Sequence, residues 1–63
     1  MKKKVSIIIC AYNEEATIEN VVQKCRKYNK ESEIIVVDDG STDKTVDYLK
    51  NLEKKLALKL ILL

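Results

Sequence analysis

Two short runs of β-branched residues constrain the fold of this chain most, because neither has helical periodicity and polar segments bound both. The first run is Val5 to Cys10, "VSIIIC", and the second is Glu33 to Val37, "EIIVV". Continuous apolar runs of this length are typical of strands buried on both faces in parallel sheets. The sequence therefore predicts two parallel strands with both of their faces covered.

The segment between these runs predicts an amphipathic helix. It starts at Asn13, a good N-cap residue, and runs to about Tyr28. Glu14 and Glu15 then lie in the first turn, where the helix dipole favours acidic side chains. The predicted buried stripe has the spacing i, i+3, i+4 and i+7 and consists of Ile18, Val21, Val22 and Cys25.

A second helix and a third strand complete the predicted order β-α-β-α-β. The helix follows "DDGSTD" and is capped by a hydroxyl or by Asp43. The leucine-rich run Leu58 to Leu63 could continue this helix, but its position after a helix favours a third strand. Right-handed crossovers between parallel neighbours predict the strand order 3-2-1, with the helices on the faces of the sheet. This is one half of a doubly wound α/β architecture. The inner side of the second helix consists of Val46, Leu49, Leu52 and Leu56.

Length and charge narrow the functional classes. A chain of 63 residues is one small domain, and a domain of this size buries only about 60% of its unfolded surface. Nucleic-acid binders concentrate positive charge and often carry aromatic side chains for stacking. This chain has a net charge of only +2, and its three tyrosines are scattered along the sequence. No apolar run approaches the ~20 residues of a membrane-spanning helix. Neither nucleic-acid binding nor a membrane span is expected.

The N-terminal segment and the cysteines predict a cytoplasmic protein. The basic run Lys2–Lys4 precedes an apolar run that is too short for a secretory leader. Cys10 ends a predicted strand and Cys25 lies late in a predicted helix, so we expect free thiols in a reducing compartment.

Both polar motifs, "CAYNE" and "DDGSTD", follow the carboxyl ends of predicted strands, which is where open parallel sheets bind ligands. An aspartate beside Gly40 can accept hydrogen bonds from a base or from ribose hydroxyls. Alternatively, Asp38 and Asp39 only close the strand with an Asx-type turn. A metal shared by the two is disfavoured, because adjacent side chains on an extended chain point in opposite directions.

Tyr12 and Glu14 are the candidate ligand-binding residues of the first motif. The tyrosine ring could stack on a nucleobase, and the glutamate could reach a ligand hydroxyl. The structural alternative is that Tyr12 covers the end of the sheet and Glu14 only offsets the helix dipole.

Together, "VSIIICAYNEEATIENVV" and "EIIVVDDGSTDKT" resemble the N-terminal part of the family 2 glycosyltransferases with a GT-A fold. The sequence is particularly similar to the branch that transfers sugars to polyprenol or dolichol phosphate. The resemblance runs from Val5 to about Leu63. It implies a Rossmann-like fold for nucleotide-diphospho-sugar transfer, of which residues 1–63 form a single truncated, nucleotide-binding half-domain.

The resemblance also implies roles for individual residues. Residues at these positions contact the nucleotide of a UDP- or GDP-sugar: Cys10, Ala11, Tyr12 and Glu14 at the first strand end, and Val37 and Asp39 at the second. The residue at the position of Val37 lines the base pocket, and the one at Asp39 binds the base or the ribose. Cys10 departs from the family pattern, which commonly has proline or threonine there, because cysteine supplies neither a stiff turn nor a hydroxyl.

The sequence lacks the D-x-D triplet with which such transferases bind a metal on the donor diphosphate. We therefore expect no catalysis by this chain alone and no cofactor within it, with Mg²⁺ or Mn²⁺ expected only for a complete transferase. The first strand would expose an apolar edge, which predicts a homodimer through that edge. A structural or assembly module that binds no nucleotide is the alternative function. A dinucleotide site is disfavoured, because no G-x-G-x-x-G follows the first strand.

Overall fold

The computed structural model describes residues 5–63, so the basic run Lys2–Lys4 lies outside the described part of the chain. The five predicted elements are present in the predicted order, with boundaries that differ mainly at the start of the first helix. The elements are β1 (Ser6–Ala11), α1 (Ile18–Tyr28), β2 (Glu33–Asp38), α2 (Thr45–Lys55) and β3 (Leu58–Leu62).

The three strands form one parallel sheet in the order β1-β2-β3. This is the predicted order 3-2-1 read from the opposite edge. Ser6 of β1 lies opposite Glu33 of β2, and Ile34 of β2 lies opposite Leu58 of β3. The central strand β2 is therefore paired on both sides, whereas β1 and β3 are edge strands among the described residues.

Both helices pack on the same face of the sheet. The two crossovers run in the same direction across the strands, so right-handed connections bring both helices to one side. Helices α1 and α2 contact each other there and enclose the core. The buried apolar residues of this core are Ala11, Ile18, Val22, Ile34, Val36, Leu49, Leu52 and Leu58.

The other side of the sheet is uncovered in the described chain, so the prediction of strands buried on both faces is wrong here. Burial alternates along β1, and Ile8 is 64% exposed. No helix of residues 5–63 crosses this side, because both crossovers use the opposite one. We call it the open face, and it consists of Ser6, Ile8, Cys10, Glu33, Ile35, Val37, Lys59 and Ile61.

The start of α1 differs from the prediction. The helix begins at Ile18, and Asn13 does not cap it. Asn13 instead has a φ of 50°, in the left-handed region that asparagine tolerates better than most residues. The following turn closes with hydrogen bonds from Thr17 N and Ile18 N to the carbonyl of Glu14. In the predicted stripe, Val21 is 46% exposed and so lies outside the core.

The second helix begins at Thr45, and the predicted capping residue Asp43 lies one position before the N-cap residue Lys44. The Oδ1 atom of Asp43 accepts the N–H of Thr45, the first residue of α2, at 2.9 Å, although Lys44 occupies the N-cap position. Leu49 and Leu52 are buried on the inner side. The carboxylate therefore satisfies one of the N–H groups that every helix leaves unpaired at its start.

Arg26 joins the loops at the amino ends of β2 and β3. Its guanidinium donates to the carbonyl oxygens of Ser32 at 2.7 Å, Leu56 at 2.8 Å and Ala57 at 3.1 Å. It also donates to Asn29 O at 3.1 Å. One half-buried side chain thus links the end of α1 to the turn between α2 and β3.

Two further features concern the helices and the thiols. Neither helix among residues 5–63 is long and apolar enough to span a bilayer. Cys10 lies exposed on the open face, and Cys25 is half-buried on α1. Both are free thiols, as the sequence predicts.

Candidate functional site

The carboxyl ends of β1 and β2 bring the two sequence motifs to one edge of the sheet. Ala11 and Asp38 are register partners at these ends. The N–H of Asp39 donates to the carbonyl of Ala11 at 2.9 Å, so the ladder continues one step beyond β2. Tyr12 and Asp39 each directly follow a member of the terminal pair. We call the residues 10–14 and 37–41 at this edge the rim.

Asp38 organises the turn at the rim. Its side chain is only 1% exposed, and its Oδ2 accepts the N–H groups of Gly40 at 3.1 Å and Ser41 at 2.8 Å. Its Oδ1 accepts the hydroxyl of Ser41 through a short hydrogen bond. For Asp38, the interpretation that it only closes the strand with an Asx-type turn is therefore correct. The carboxylate is occupied by the turn that it forms.

Gly40 is required at this turn for its backbone conformation. Its φ is +80°, which L side chains rarely adopt, whereas a Cβ added at this position would meet no atom within 4 Å. The glycine therefore serves the turn that follows β2.

Asp39, Tyr12 and Glu14 are exposed at the rim. Tyr12 is 55% exposed, enough to offer one face of its ring to a ligand. Glu14 Oε2 accepts the hydroxyl of Thr17 at 3.3 Å, so this carboxylate is tied to the turn before α1. The side chains of the adjacent residues Asp38 and Asp39 point in opposite directions, as strand geometry requires. Asp38 is buried and Asp39 is exposed to solvent.

The remaining sequence-predicted residues lie directly beside these three. Cys10 and Val37 are register partners on the open face, at the carboxyl end of the sheet. Cys10 is exposed and Val37 is half-buried. Ala11 is buried in the core on the other face, so it can contribute to the rim only through its main chain.

A set of hydrogen bonds between the two loops was not predicted from the sequence. Asn13 N donates to Ser41 Oγ at 2.9 Å, and Asn13 Oδ1 accepts the N–H of Thr42 at 2.8 Å. Glu14 N donates to Thr45 Oγ1 at 2.8 Å. These residues have sequence signals, but the signals indicate helix caps. Local patterns assign Asn, Ser and Thr to caps and cannot reveal a partner about thirty positions away.

Asp43 receives hydrogen bonds from both loops. Burial raises the pKa of its carboxyl group, but hydrogen bonds from the hydroxyl and N–H of Thr45 and from the N–H of Glu15 together lower it by more. The net effect is a pKa below the ordinary value for aspartate. These donors interact more strongly with the charged carboxylate, which explains the direction.

The residues present do not form a metal site. Within residues 5–63, no three Cys, His, Asp or Glu side chains lie close enough together to hold an ion. Asp38 already accepts three hydrogen bonds from its own turn, and Asp39 lies in solvent on the other side of the backbone. The rim is an open edge that can offer a ring, a carboxylate and main-chain groups to a ligand.

The described chain is a parallel α/β sheet with polar loops at its carboxyl edge, and sequence comparison assigns it to a family. The family model for glycosyl transferase family 2 matches residues 6–62. The chain belongs to this family.

Individual relatives are polyprenol-phosphate sugar transferases. A UDP-N-acetylglucosamine–dolichyl-phosphate N-acetylglucosaminyltransferase of Methanococcus voltae is 49% identical over 51 residues, covering 81% of this chain and 20% of that protein. An undecaprenyl-phosphate 4-deoxy-4-formamido-L-arabinose transferase of Pectobacterium atrosepticum is 47% identical over 51 residues, covering 75% of this chain and 16% of that protein.

A third relative matches over more of the chain. The corresponding arabinose transferase of Proteus mirabilis is 36% identical over 66 residues, covering 94% of this chain and 20% of that protein. The chain thus spans about a fifth or less of the length of these curated relatives. No solved structure matches it at a comparable level of significance.

Proposed function

We propose that this chain is the nucleotide-binding part of a family 2 glycosyltransferase and holds the nucleoside of a UDP- or GDP-sugar at the rim. In this proposal Tyr12 stacks on the base, while Asp39 accepts hydrogen bonds from the base or the ribose. Glu14 reaches a ligand hydroxyl. Cys10, Ala11 and Val37 form the floor between them.

The observation that carries the proposal is the hydrogen bond between Asp39 N and Ala11 O at 2.9 Å. It fixes the two exposed candidate groups, Tyr12 and Asp39, directly after one pair of register partners. A ring and an acid at one edge are the groups that a nucleoside needs, because bases stack on aromatic rings and their N–H groups donate to carboxylates.

The names of the relatives support the donor class. The Methanococcus voltae protein is named for a UDP-sugar donor and a dolichyl-phosphate acceptor. We extend the UDP-sugar donor to this chain and expect UDP to bind in preference to GDP. In family terms, residues 1–63 correspond to the first, Rossmann-like part of the GT-A fold.

We further propose that this chain does not transfer sugar alone. The transferase reaction needs a cation on the donor diphosphate and an oriented acceptor. The sequence has no D-x-D triplet, and its described residues offer no metal cluster. Binding through the nucleoside alone is expected to be weak. We also propose that the protein functions in the cytoplasm, as the sequence predicts.

The test is a titration of the ¹⁵N-labelled chain with UDP and, separately, with GDP, each with and without Mg²⁺. Binding is monitored through the amide chemical shifts. We expect saturable shifts concentrated at residues 10–14 and 37–41. Tyr12→Ala and Asp39→Asn should each abolish most of the response. Amide signals that neither nucleotide moves would contradict the proposal.

Matched controls separate binding from general effects of substitution. Tyr28→Ala removes an exposed ring at the far end of α1, and Asp47→Asn removes an exposed carboxylate on α2. Both variants should keep the wild-type response. A loss of response in these controls equal to that in the rim variants would show that the rim is not the binding site.

A second candidate function is assembly through the edge of β1. Val5 is 51% and Ile8 is 64% exposed along this edge, which pairs with no strand among residues 5–63. Such an edge is a template for pairing with another chain, so the β1 strands of two copies could pair antiparallel across a two-fold axis and form one continuous six-stranded sheet. Assembly through the edge of β1 and nucleotide binding through Tyr12 and Asp39 depend on different side chains, so the two functions can be tested separately.

Sedimentation velocity at tens of micromolar tests this candidate. We expect dimers for the wild-type chain and monomers for Ile8→Lys, since a lysine on an edge strand opposes pairing. Ile61→Lys, which changes the opposite edge strand β3, is the matched control and should leave the dimer intact. A wild-type chain that sediments only as a monomer would exclude assembly through β1.

A further inference from the structure

Asn13 connects the two loops of the rim through both its main chain and its side chain. Its N–H donates to Ser41 Oγ at 2.9 Å. Its Oδ1 accepts the N–H of Thr42 at 2.8 Å and lies 3.4 Å from the N–H of Asp43. Asn13, in the loop after β1, therefore forms hydrogen bonds with three consecutive residues in the loop after β2, Ser41 to Asp43.

The backbone of Asn13 makes this arrangement possible. Its φ of 50° lies in the left-handed region, where asparagine and glycine are better tolerated than other residues. The reversal turns the chain from β1 toward the second loop, and the short side chain then reaches the N–H groups there. Backbone conformation and acceptor atom are thus two separable properties of one residue.

The connection continues into the core through Ser41. The hydroxyl that accepts from Asn13 N also donates to the buried carboxylate of Asp38. Asn13, Ser41 and Asp38 therefore form a chain of hydrogen bonds from one loop to the end of β2. We call these three residues, together with Thr42, the clasp.

The two exposed candidate groups lie immediately beside the clasp. Tyr12 precedes Asn13, and Asp39 lies between Asp38 and Gly40. Within the described part of the chain, no hydrogen bond holds the side chain of Tyr12 or of Asp39. The distance between the side chains of Tyr12 and Asp39 therefore depends on the backbone next to each of them, and the clasp holds that backbone in place.

We propose that Asn13 is a positioning residue that sets the spacing of the rim, so that Tyr12 and Asp39 can engage one nucleoside at once. This inference rests on the proposed function, but its structural part can be tested without any nucleotide. Asn13 itself need not touch the ligand. It lowers the cost of binding because the loops are already ordered before the nucleoside arrives.

The test is a series of three substitutions at position 13. Asn13→Gly keeps the left-handed backbone and removes the acceptor, whereas Asn13→Asp keeps a comparable backbone tolerance and an acceptor oxygen. Asn13→Ala removes both properties. UDP affinity measured by amide-shift titration should weaken about tenfold in Asn13→Gly and more in Asn13→Ala.

Rescue by Asn13→Asp distinguishes positioning from general stability. We expect its UDP affinity to stay within about threefold of wild type when the titration is run at moderate ionic strength, which screens the added charge. Arg26→Lys is the matched control, because it destabilises the opposite end of the sheet. At a temperature where both variants are folded, Arg26→Lys should keep wild-type affinity.

A second measurement separates this inference from the proposed function. Amide ¹⁵N relaxation of Tyr12 and Asp39 without nucleotide should show added motion in Asn13→Gly but not in Asn13→Asp. If the wild-type chain binds no nucleotide and this pattern still appears, the proposed function fails while the clasp stands. Unchanged relaxation together with unchanged affinity in Asn13→Gly would overturn the inference.

Ser41→Ala serves as the second variant if Asn13→Gly does not fold. It removes the acceptor of Asn13 N and leaves the Asn13 side chain in place. We expect several-fold weaker UDP binding and the same added motion at Tyr12 and Asp39. Wild-type values for both would overturn the inference.

Discussion

The buried carboxylate of Asp38 accepts the hydroxyl of Ser41, three residues further along the chain, and thereby closes the turn after β2. Its neighbour Asp39 lies in solvent one residue later. Two chemically identical side chains at adjacent positions therefore have different tasks. One organises the fold, and the other remains available to a ligand.

The first prediction separates these tasks. Asp38→Asn replaces charge-assisted hydrogen bonds from Gly40 N and Ser41 N by neutral ones in a buried site, and its NH₂ group can no longer accept the hydroxyl of Ser41. We expect the free energy of unfolding to fall by about 2 kcal/mol. Asp39→Asn, the matched substitution in solvent, should change it by less than about 0.5 kcal/mol. Urea denaturation measures both, and equal losses would refute the division of tasks.

The second prediction concerns Gly40. Gly40→Ala should cost about 1–2 kcal/mol of unfolding free energy, because a φ of +80° is strained for alanine even though a Cβ meets no atom within 4 Å. Gly40→Asn should cost less, since asparagine tolerates left-handed conformations. Thermal or urea unfolding of the two variants provides the comparison. An alanine variant as stable as wild type would mean that the turn changes conformation freely.

The third prediction concerns Arg26. Arg26→Lys keeps the charge but loses the planar fork that serves the carbonyls of Ser32, Leu56 and Ala57 together. We expect a loss of about 2 kcal/mol in unfolding free energy, measured by urea denaturation. The reciprocal exchange Lys24→Arg at an exposed position of α1 should stay within about 0.5 kcal/mol of wild type. A wild-type midpoint for Arg26→Lys would show that these loops do not need the guanidinium.

The fourth prediction is a pH dependence that arises from Asp43. Its pKa is lower in the folded chain than the ordinary value of about 4, so its carboxylate stabilises the fold above that value. This contribution is lost as the pH falls through the lower, folded-state pKa. Unfolding free energies measured by urea from about pH 6 downward should therefore decline below about pH 4.

The substitution Asp43→Asn should reduce the decline of the unfolding free energy below about pH 4. Asp43→Asn cannot bind a proton, so the part of the decline due to this residue disappears. Asp47→Asn on the exposed side of α2 is the matched control and should keep the wild-type slope. If Asp43→Asn keeps that slope as well, other carboxyl groups cause the acid sensitivity.

Local sequence patterns were sufficient for the type and order of the elements. The β-branched run of β2 favours a strand, the spacing of Leu49 and Leu52 fits a helix, and the predicted positions of both elements are confirmed. The family resemblance is confirmed as well. The start of α1 was misassigned, because Asn13 is as well suited to a left-handed turn as to a helix cap.

The sequence by itself determined the parallel β-α-β-α-β order, the family, and the presence of acidic and aromatic groups after two strand ends. These properties follow from side-chain periodicity and from short motifs, which are local along the chain. Only the tertiary structure decided that both helices cover one face, that Asp38 is buried while Asp39 is exposed, and that Asn13 joins the two loops. Each of these depends on contacts between residues far apart in sequence, and the handedness and register of the sheet, rather than local preference, bring those residues together.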